Sequence, residues 1–547
     1  MTSSVAFVRQ LGAESGVQLN PLRDGSAIPA VGNADQSFGV IMRSTRGRID
    51  KPFLVDRGSV VRKLGKGEPV RVSALNEAYV QVVEALNNGA YQAVVQRLSS
   101  DASVISWLGI VASTDNFTYA VSPEEPTAPY LLAVKHLECF NDGIVVEFRA
   151  EEKKAAGVPT ANDFITLRIK DSTGVLLYEF AGSLNPNAKD DFGASAYLPD
   201  VVASKTDAVE VKVGVTGGAA VVSATSAAYG YDAGGKQKWA SSGVQTCFTE
   251  GALTFDADDY AVAAQRLQNS QFDFAYLSSG GSQAAALLAK LAQLAHDTNR
   301  QFRFDVPGSL SPDAAIAFVE QLNLTGNLSA HLLHAYWSPL KTDDPTGVNP
   351  KGYFGTASLN IAYACARNAQ RNAKGFAPKN YPIAGREFPV NRTGVSQTYT
   401  PSDQELNALA RAKVNPVMYE TYTGGGRYVF RDSLTLAPVD NSLKKLISVV
   451  EMSTSIDEAV TRAAKDALQL PMAISTKRTR DFLTSLFEAA EASGWLVPSN
   501  APEMGGKAWA FEVVPNAVRP YDALDVSYWL HFDGTNRQTF VTQTITR

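Results

Sequence analysis

The last nine residues, Thr539-Phe540-Val541-Thr542-Gln543-Thr544-Ile545-Thr546-Arg547, have the composition of a β-strand with no chain left to turn back on itself. Seven of the nine are β-branched or aromatic, none is Pro or Gly, and Arg547 carries the only formal side-chain charge. A strand at a chain end exposes a row of N–H and C=O groups, so it either returns to its own sheet or adds to the sheet of another molecule. Just upstream, Val526, Tyr528, Leu530 and Phe532 alternate with Ser527, Trp529 and His531, and Asp533-Gly534-Thr535-Asn536 supplies turn chemistry. Residues 526–547 therefore read as a C-terminal β arm, with Phe540, Val541, Thr542, Thr544 and Ile545 as its candidate subunit-interface residues.

With 547 residues the chain is long enough for several domains of about 150 residues each. Charged residues are 19% of the chain, below the usual figure of about 25%. So lightly charged a surface suits broad protein contacts. A formal net charge of −5 leaves no domain-wide basic excess for neutralising phosphates, which argues against a general nucleic-acid binder. Cys139, Cys247 and Cys365 are far apart and lack metal or CxxC spacing, so reduced thiols and a chain folded in cytoplasm are expected. The start, Met1 to Arg9, has no basic segment followed by a long apolar run, and no 18-residue apolar stretch occurs. Neither export by a signal peptide nor membrane insertion is expected.

Along the chain the texture changes several times. Residues 1–35 hold one apolar run, with Val5, Phe7 and Val8 as candidate contact residues, and otherwise read as an N-terminal arm. Residues 36–118 form a first α/β domain: strands at Gly39–Met42 and Phe53–Val55, a helix capped by Ser73 and ended by Gly89, and a buried strand from Tyr91 to Leu98. Residues 119–250 are short β-rich runs broken by Gly, Pro, Asn and Asp, an inserted all-β domain. In 251–390 helix and strand patterns alternate, as in a middle α/β domain. A C-terminal domain, 391–525, opens with a Ser402/Glu405 capping box. Its further helices are expected from Asn441 to Met452, from a Ser455/Glu458 capping box to Pro471, and from Arg478 to Gly494. The fold class is a multidomain α+β and α/β chain with an inserted β domain and two extended arms.

Motifs that can carry chemistry also have plainer readings. His331 and His334 are one helical turn apart but lack a third ligand, so structural or surface histidines are expected. Gly65-Lys66-Gly67 and Gly424-Gly425-Gly426 lack the Lys-Ser/Thr ending of a phosphate loop and read as turns. Asp256, Asp258 and Asp259 lack the Gly and Glu of a Ca²⁺ loop and read as a helix start. No nucleophile elbow is present, though a triad assembled from distant positions stays open. Lys477, Arg478 and Arg480, with Lys444 and Lys445, form candidate docking points for an acidic partner. No metal or cofactor is assigned.

Two stretches carry a family resemblance. Val414-Asn415-Pro416-Val417-Met418 followed by Gly424-Gly425-Gly426-Arg427-Tyr428-Val429-Phe430-Arg431-Asp432-Ser433-Leu434-Thr435 resembles the most recognisable segment of contractile tail sheath proteins of bacteriophages and related injection machines. Phe38-Gly39-Val40 through Gly89-Ala90-Tyr91-Gln92-Ala93-Val94 is similar to that family's first α/β unit. The chain departs from it at Leu468-Gln469-Leu470-Pro471-Met472, where many sheaths have a Trp and a Phe-Glu-Pro-Asn run, and between Gly352 and Asn391. The resemblance implies a structural, non-enzymatic virion subunit that assembles in host cytoplasm. It implies stacked hexameric rings around a tail tube, arms that add strands to neighbours, and baseplate and neck partners. It places the helix from Leu443 against the tube, with the five basic residues as tube-facing candidates. The competing readings are an α/β hydrolase or nucleotide-binding enzyme built on 253–372, and another self-assembling virion or adhesin-like protein.

Overall fold

The computed structural model describes residues 34–112, 117–127, 130–150, 164–190, 193–214, 239–326, 329–501 and 504–544. Val5, Phe7, Val8 and Ile545 lie outside them.

The architecture is mixed α/β and multidomain, organised on one eight-stranded sheet. Its strands are β1 (Ser37–Met42), β2 (Phe53–Val55), β3 (Gln92–Arg97), β4 (Tyr276–Ser278), β5 (Gln301–Val306), β6 (Leu333–Trp337), β7 (Val414–Tyr422) and β8 (Gly425–Phe430). They lie in the order β2-β3-β1-β4-β5-β6-β7-β8. From β3 to β7 all pairings are parallel, and β2 and β8 close the edges antiparallel. Central parallel strands are covered on both faces, so they read as unbroken runs: every residue of β1, β3, β5 and β6 is buried. The Gly424–Gly426 segment is the β7–β8 hairpin turn, with φ of 97° at Gly424 and 121° at Gly425. Asn415 explains the Asn-Pro segment: its buried amide donates to Ala335 O and Leu434 O and accepts from Leu434 N–H, tying β7 to the chain that follows β8.

Helices cover the two faces differently. On one lie α2 (Ala257–Gln268), α3 (Ala285–Thr298), α4 (Pro312–Gln321) and α6 (Asp403–Arg411), packed on an apolar layer including Leu277, Phe302, Phe304, Leu333, Ala335 and Trp337. Asp256, read as part of a helix start, forms a capping box for α2 with Asp259, and Ser402 and Glu405 do so for α6 as their spacing predicts. The other face carries α1 (Glu77–Asn87), α5 (Ala357–Asn368) and α7 (Ile447–Asp466). Here β1 and β3 contribute Phe38, Val40, Ala93 and Val95, but β4 to β6 present Tyr276, Ser278, Arg303, Asp305, His334 and Tyr336, a buried polar seam.

The β-rich insertion is a sandwich of two antiparallel four-stranded sheets sharing one apolar core. It begins earlier than composition indicates. Trp107–Ala112 and Phe117–Ser122 already belong to it, and Val104–Ile105 pairs with Phe248–Thr249 as its stem. Arginines following β1 and ending β3 hold it in place: Arg43 bonds Glu250, Arg46 bonds Asp142 and Asp171, and Arg97 bonds Asn141.

Three expected boundaries change. The first and middle α/β segments, with residues 414–430, share one sheet, because long-range parallel pairing joins strands that composition separates. Ser455 and Glu458 do not cap a helix; they lie inside the 20-residue α7, where Ser455 Oγ donates to Glu451 O, and continuous packing of Ile447 to Ile456 carries the helix through. The final helix, α8 (Met472–Ala492), starts directly after Pro471 rather than at Arg478.

Candidate assembly surface

The C-terminal module is built on α7 and α8 and a hairpin of β9 (Trp509–Pro515) and β10 (Leu524–Leu530). Residues from Val526, expected to open the terminal arm, instead form β10, paired from Trp509↔Leu530 to Pro515↔Leu524. The alternation at Val526 to Phe532 is legible because one face is covered: Val526, Tyr528 and Leu530 pack toward the module core. The partner strand was missed, although Trp509, Phe511 and Val513 alternate with Ala510 and Glu512 and turn to the same core. Two strands alone are marginal in water, and the anchor here is Phe487 of α8, fully buried, with ring centroids 5.7 Å from Trp509, 6.0 Å from Phe511 and 5.7 Å from Tyr528. Among the described residues no strand pairs with the outer edge of β9 or of β10. The outer edge of β10 offers unpaired backbone groups on which a further strand can add, while on β9 the outward Val513 O is taken by Arg480.

The chain then leaves the module. Arg537 pairs with Asp432 through both side-chain ends, which pins the root of the tail to the segment following β8. From Gln538 to Thr544 every residue is exposed and none lies in a strand. Phe540 and Val541 are 89% and 87% exposed, a costly presentation of apolar surface unless something else covers it.

The basic candidates are not brought to one spot. Lys444 and Lys445, expected in a helix, sit in the one-turn 3-10 helix Leu443–Lys445 before α7, where Lys445 Nζ bonds Asp440 O. Lys477, Arg478 and Arg480 lie on α8, which starts only after α7 has run its 20 residues, a length of about 30 Å. Lys477 and Arg478 are exposed, while Arg480 donates to Val513 O of β9 at 2.7 Å and so braces the hairpin.

In an open α/β sheet, ligands bind beyond the carboxyl ends of the strands where the strand order reverses. That point lies between β1 and β4, and it is filled. The loop after β4, Ser279-Gly280-Gly281, meets the start of α1 so closely that a Cβ on Gly280 would lie 2.7 Å from Ala78 Cβ and one on Gly281 2.5 Å from the Glu77 carboxyl carbon. Gln81 Nε2 bridges Glu77 and Asp305 at 3.0 Å each, and Asp305 accepts from the N–H groups of Thr356 and Ala357. A void of about 50 Å³ remains. Burial, then the neighbouring Asp305 charge, raises the Glu77 pKa to about 7. His334 is also interior: burial, then Arg303, depresses its pKa to about 3, and His331 belongs to a separate 3-10 turn before β6, so the two share no helical face.

Across the polar seam, Glu451 of α7 accepts from Arg303 of β5 at 2.5 Å and from Arg367 of α5 at 2.7 Å, and Tyr276 Oη donates to it at 3.1 Å. Burial raises the Glu451 pKa, but Arg367 and Arg303 overcome this and hold it below the ordinary carboxyl range. Nothing in local sequence marks this triad, whose members are 148 and 84 residues apart along the chain from Glu451.

No protein-family model and no curated protein sequence matches the chain. Among solved structures, it is similar to a chain in the 6-fold symmetrised cryo-EM structure of the anti-feeding prophage baseplate, with a TM-score of 0.41 and 14% identity over 56% of this chain and 78% of that one. It is also similar to a chain in the cryo-EM structure of the same baseplate in its contracted state, with a TM-score of 0.38 and 13% identity over 52% of this chain and 72% of that one.

Proposed function

We propose that the chain is the sheath subunit of a contractile phage-type tail, a homo-oligomer of stacked hexameric rings around a tail tube, joined to baseplate and neck proteins. One observation carries this reading: a two-stranded hairpin and an exposed tail of strand composition lie on the same chain. Among the described residues no strand covers the outer edge of β10, and the tail from Gln538 has strand composition, is exposed and pairs with no strand of its own body.

The energetics favour collective assembly. Each backbone hydrogen bond of an added strand contributes about 0.5–1.5 kcal/mol net, while ordering the arm costs about 1–2 kcal/mol per residue. Burying two or three apolar side chains adds about 1.5–3 kcal/mol each, and the totals then nearly cancel, so one arm binds weakly and many arms on a lattice bind together through effective concentration. Contraction is then a switch between two packings of the same folded subunits, the extended one held metastable by tube and baseplate contacts. Lys444, Lys445, Lys477 and Arg478 are the candidates for facing the tube; Arg480 is committed to β9. The protein works in the virion tail after assembly in host cytoplasm, with no direct nucleic-acid contact and no membrane insertion.

Deleting Phe540 to Arg547 tests the reading. The truncated chain is expected to stay folded and monomeric and to give no hollow cogwheel-like tubes in electron micrographs, whereas the full chain gives them. Normal tubes from the truncation would remove the arm assignment.

A further inference from the structure

The root of the N-terminal segment is held by more contacts than its length requires. The one-turn 3-10 helix Ala34–Gln36 precedes β1. Ala34 O accepts from Ala275 N–H at 3.0 Å, and Gln36 O accepts from Tyr91 N–H at 2.9 Å, so backbone bonds tie it to the entries of β4 and β3. Asp35 does more. Its carbonyl accepts from Asn368 Nδ2 of α5 at 2.9 Å, and its carboxylate takes Lys379 at 2.8 Å and Arg371 at 2.9 Å. Lys379 is only 3% exposed, and its ammonium is shared between Asp35 and Ser455 Oγ of α7. Ser455 in turn donates to the carbonyl of Glu451, the residue that binds α7 to β5 and α5. One buried cation therefore links the point where the first 33 residues join the body to the helix that crosses from the sheet to the C-terminal module.

Enclosing a lysine is costly unless its charge is paired and its hydrogens are bonded. Such a group breaks a contact only at high cost, which makes it a stiff connector. The Asp35 carboxyl is held below its ordinary range because Lys379, then Arg371, outweigh burial.

We propose that Asp35 and Lys379 form the anchor through which tension on the N-terminal segment passes to α5 and α7, so that β1 is not peeled from the sheet. The source of the tension rests on the sheath reading, in which that segment is tied to a neighbouring subunit. The anchor itself is a property of the single chain.

The test pulls single full-length chains between a handle at Met1 and one at Arg547, for the wild type, Asp35→Asn, Lys379→Met and the charge-keeping Asp35→Glu. The first rupture force is expected to fall in Asp35→Asn and Lys379→Met and to recover in Asp35→Glu. Tyr91 N–H should exchange about tenfold faster in the two weakened variants. When the N-terminal handle is moved to the Gly424–Gly426 turn, the same variants should keep the wild-type force. Unchanged force from the Met1 handle in both variants overturns the anchor, as does an equal loss from both handle positions, which marks general destabilisation. Whether the wild type forms tubes is scored separately and bears on the sheath reading alone.

Discussion

Glu77 and Glu451 are both enclosed carboxyl groups, and their surroundings drive them in opposite directions. Two guanidinium groups compensate Glu451. Glu77 accepts from the neutral Gly355 N–H and Gln81 amide and faces Asp305. With a folded pKa of about 7 against an ordinary 4.5, the folded state holds its proton more tightly than the unfolded chain does. Stability from this group is therefore fully present below pH 4.5 and is lost as the pH rises through about 7. Glu77→Gln should remove that loss, gaining on the order of 3 kcal/mol relative to wild type above pH 7 and little below pH 4.5. Urea unfolding of both proteins across this range checks it; parallel pH curves would show that Glu77 titrates normally. Neither carboxyl's behaviour is legible locally, because Asp305 and Arg303 reach them from strands more than a hundred residues away.

Among the elements, the hairpin β9–β10 depends most on a single neighbour. Phe487→Ala should cost about 3–5 kcal/mol and should raise amide exchange across 509–515 and 524–530 while leaving β5 and β6 protected. Exchange that rises equally in the main sheet would mean the module is not a separate cooperative unit. The basic candidates make a second prediction at this scale. Changing Lys444 and Lys445 together to Glu replaces two positive charges ahead of α7 with two negative ones, so it should weaken assembly of extended sheaths on the tube and spare contracted self-assembly. An unchanged yield of extended tails in micrographs would clear both residues. Helical periodicity identified α1, start residues identified α2 and α6, and β1 and β3 are legible as unbroken buried runs. Start residues misled at Ser455 and Glu458, where a good capping pair lies inside a helix because packing against Leu483 and Phe487 overrides local preference.

For the whole molecule, the β-sandwich enters and leaves the core through one two-stranded stem, so additions to it should not disturb the eight-stranded sheet. A peptide tag beside Gly234-Gly235, a site outside the described residues, is expected to leave both monomer stability and tube formation intact. Loss of tubes with an unchanged melting temperature would make that region a lattice contact. By itself the amino-acid sequence determined the alternation of α/β and all-β segments, the turns and the Ser402/Glu405 capping box. Each follows from residues within a dozen positions of one another, where side-chain period and turn chemistry act. Tertiary structure alone decided that 36–118, 251–390 and 414–430 share one sheet, that Val526 belongs to a hairpin and that the central crevice is filled. Those outcomes depend on which distant surfaces exclude water together and which buried charges find partners, and neither is encoded in the spacing of neighbouring residues.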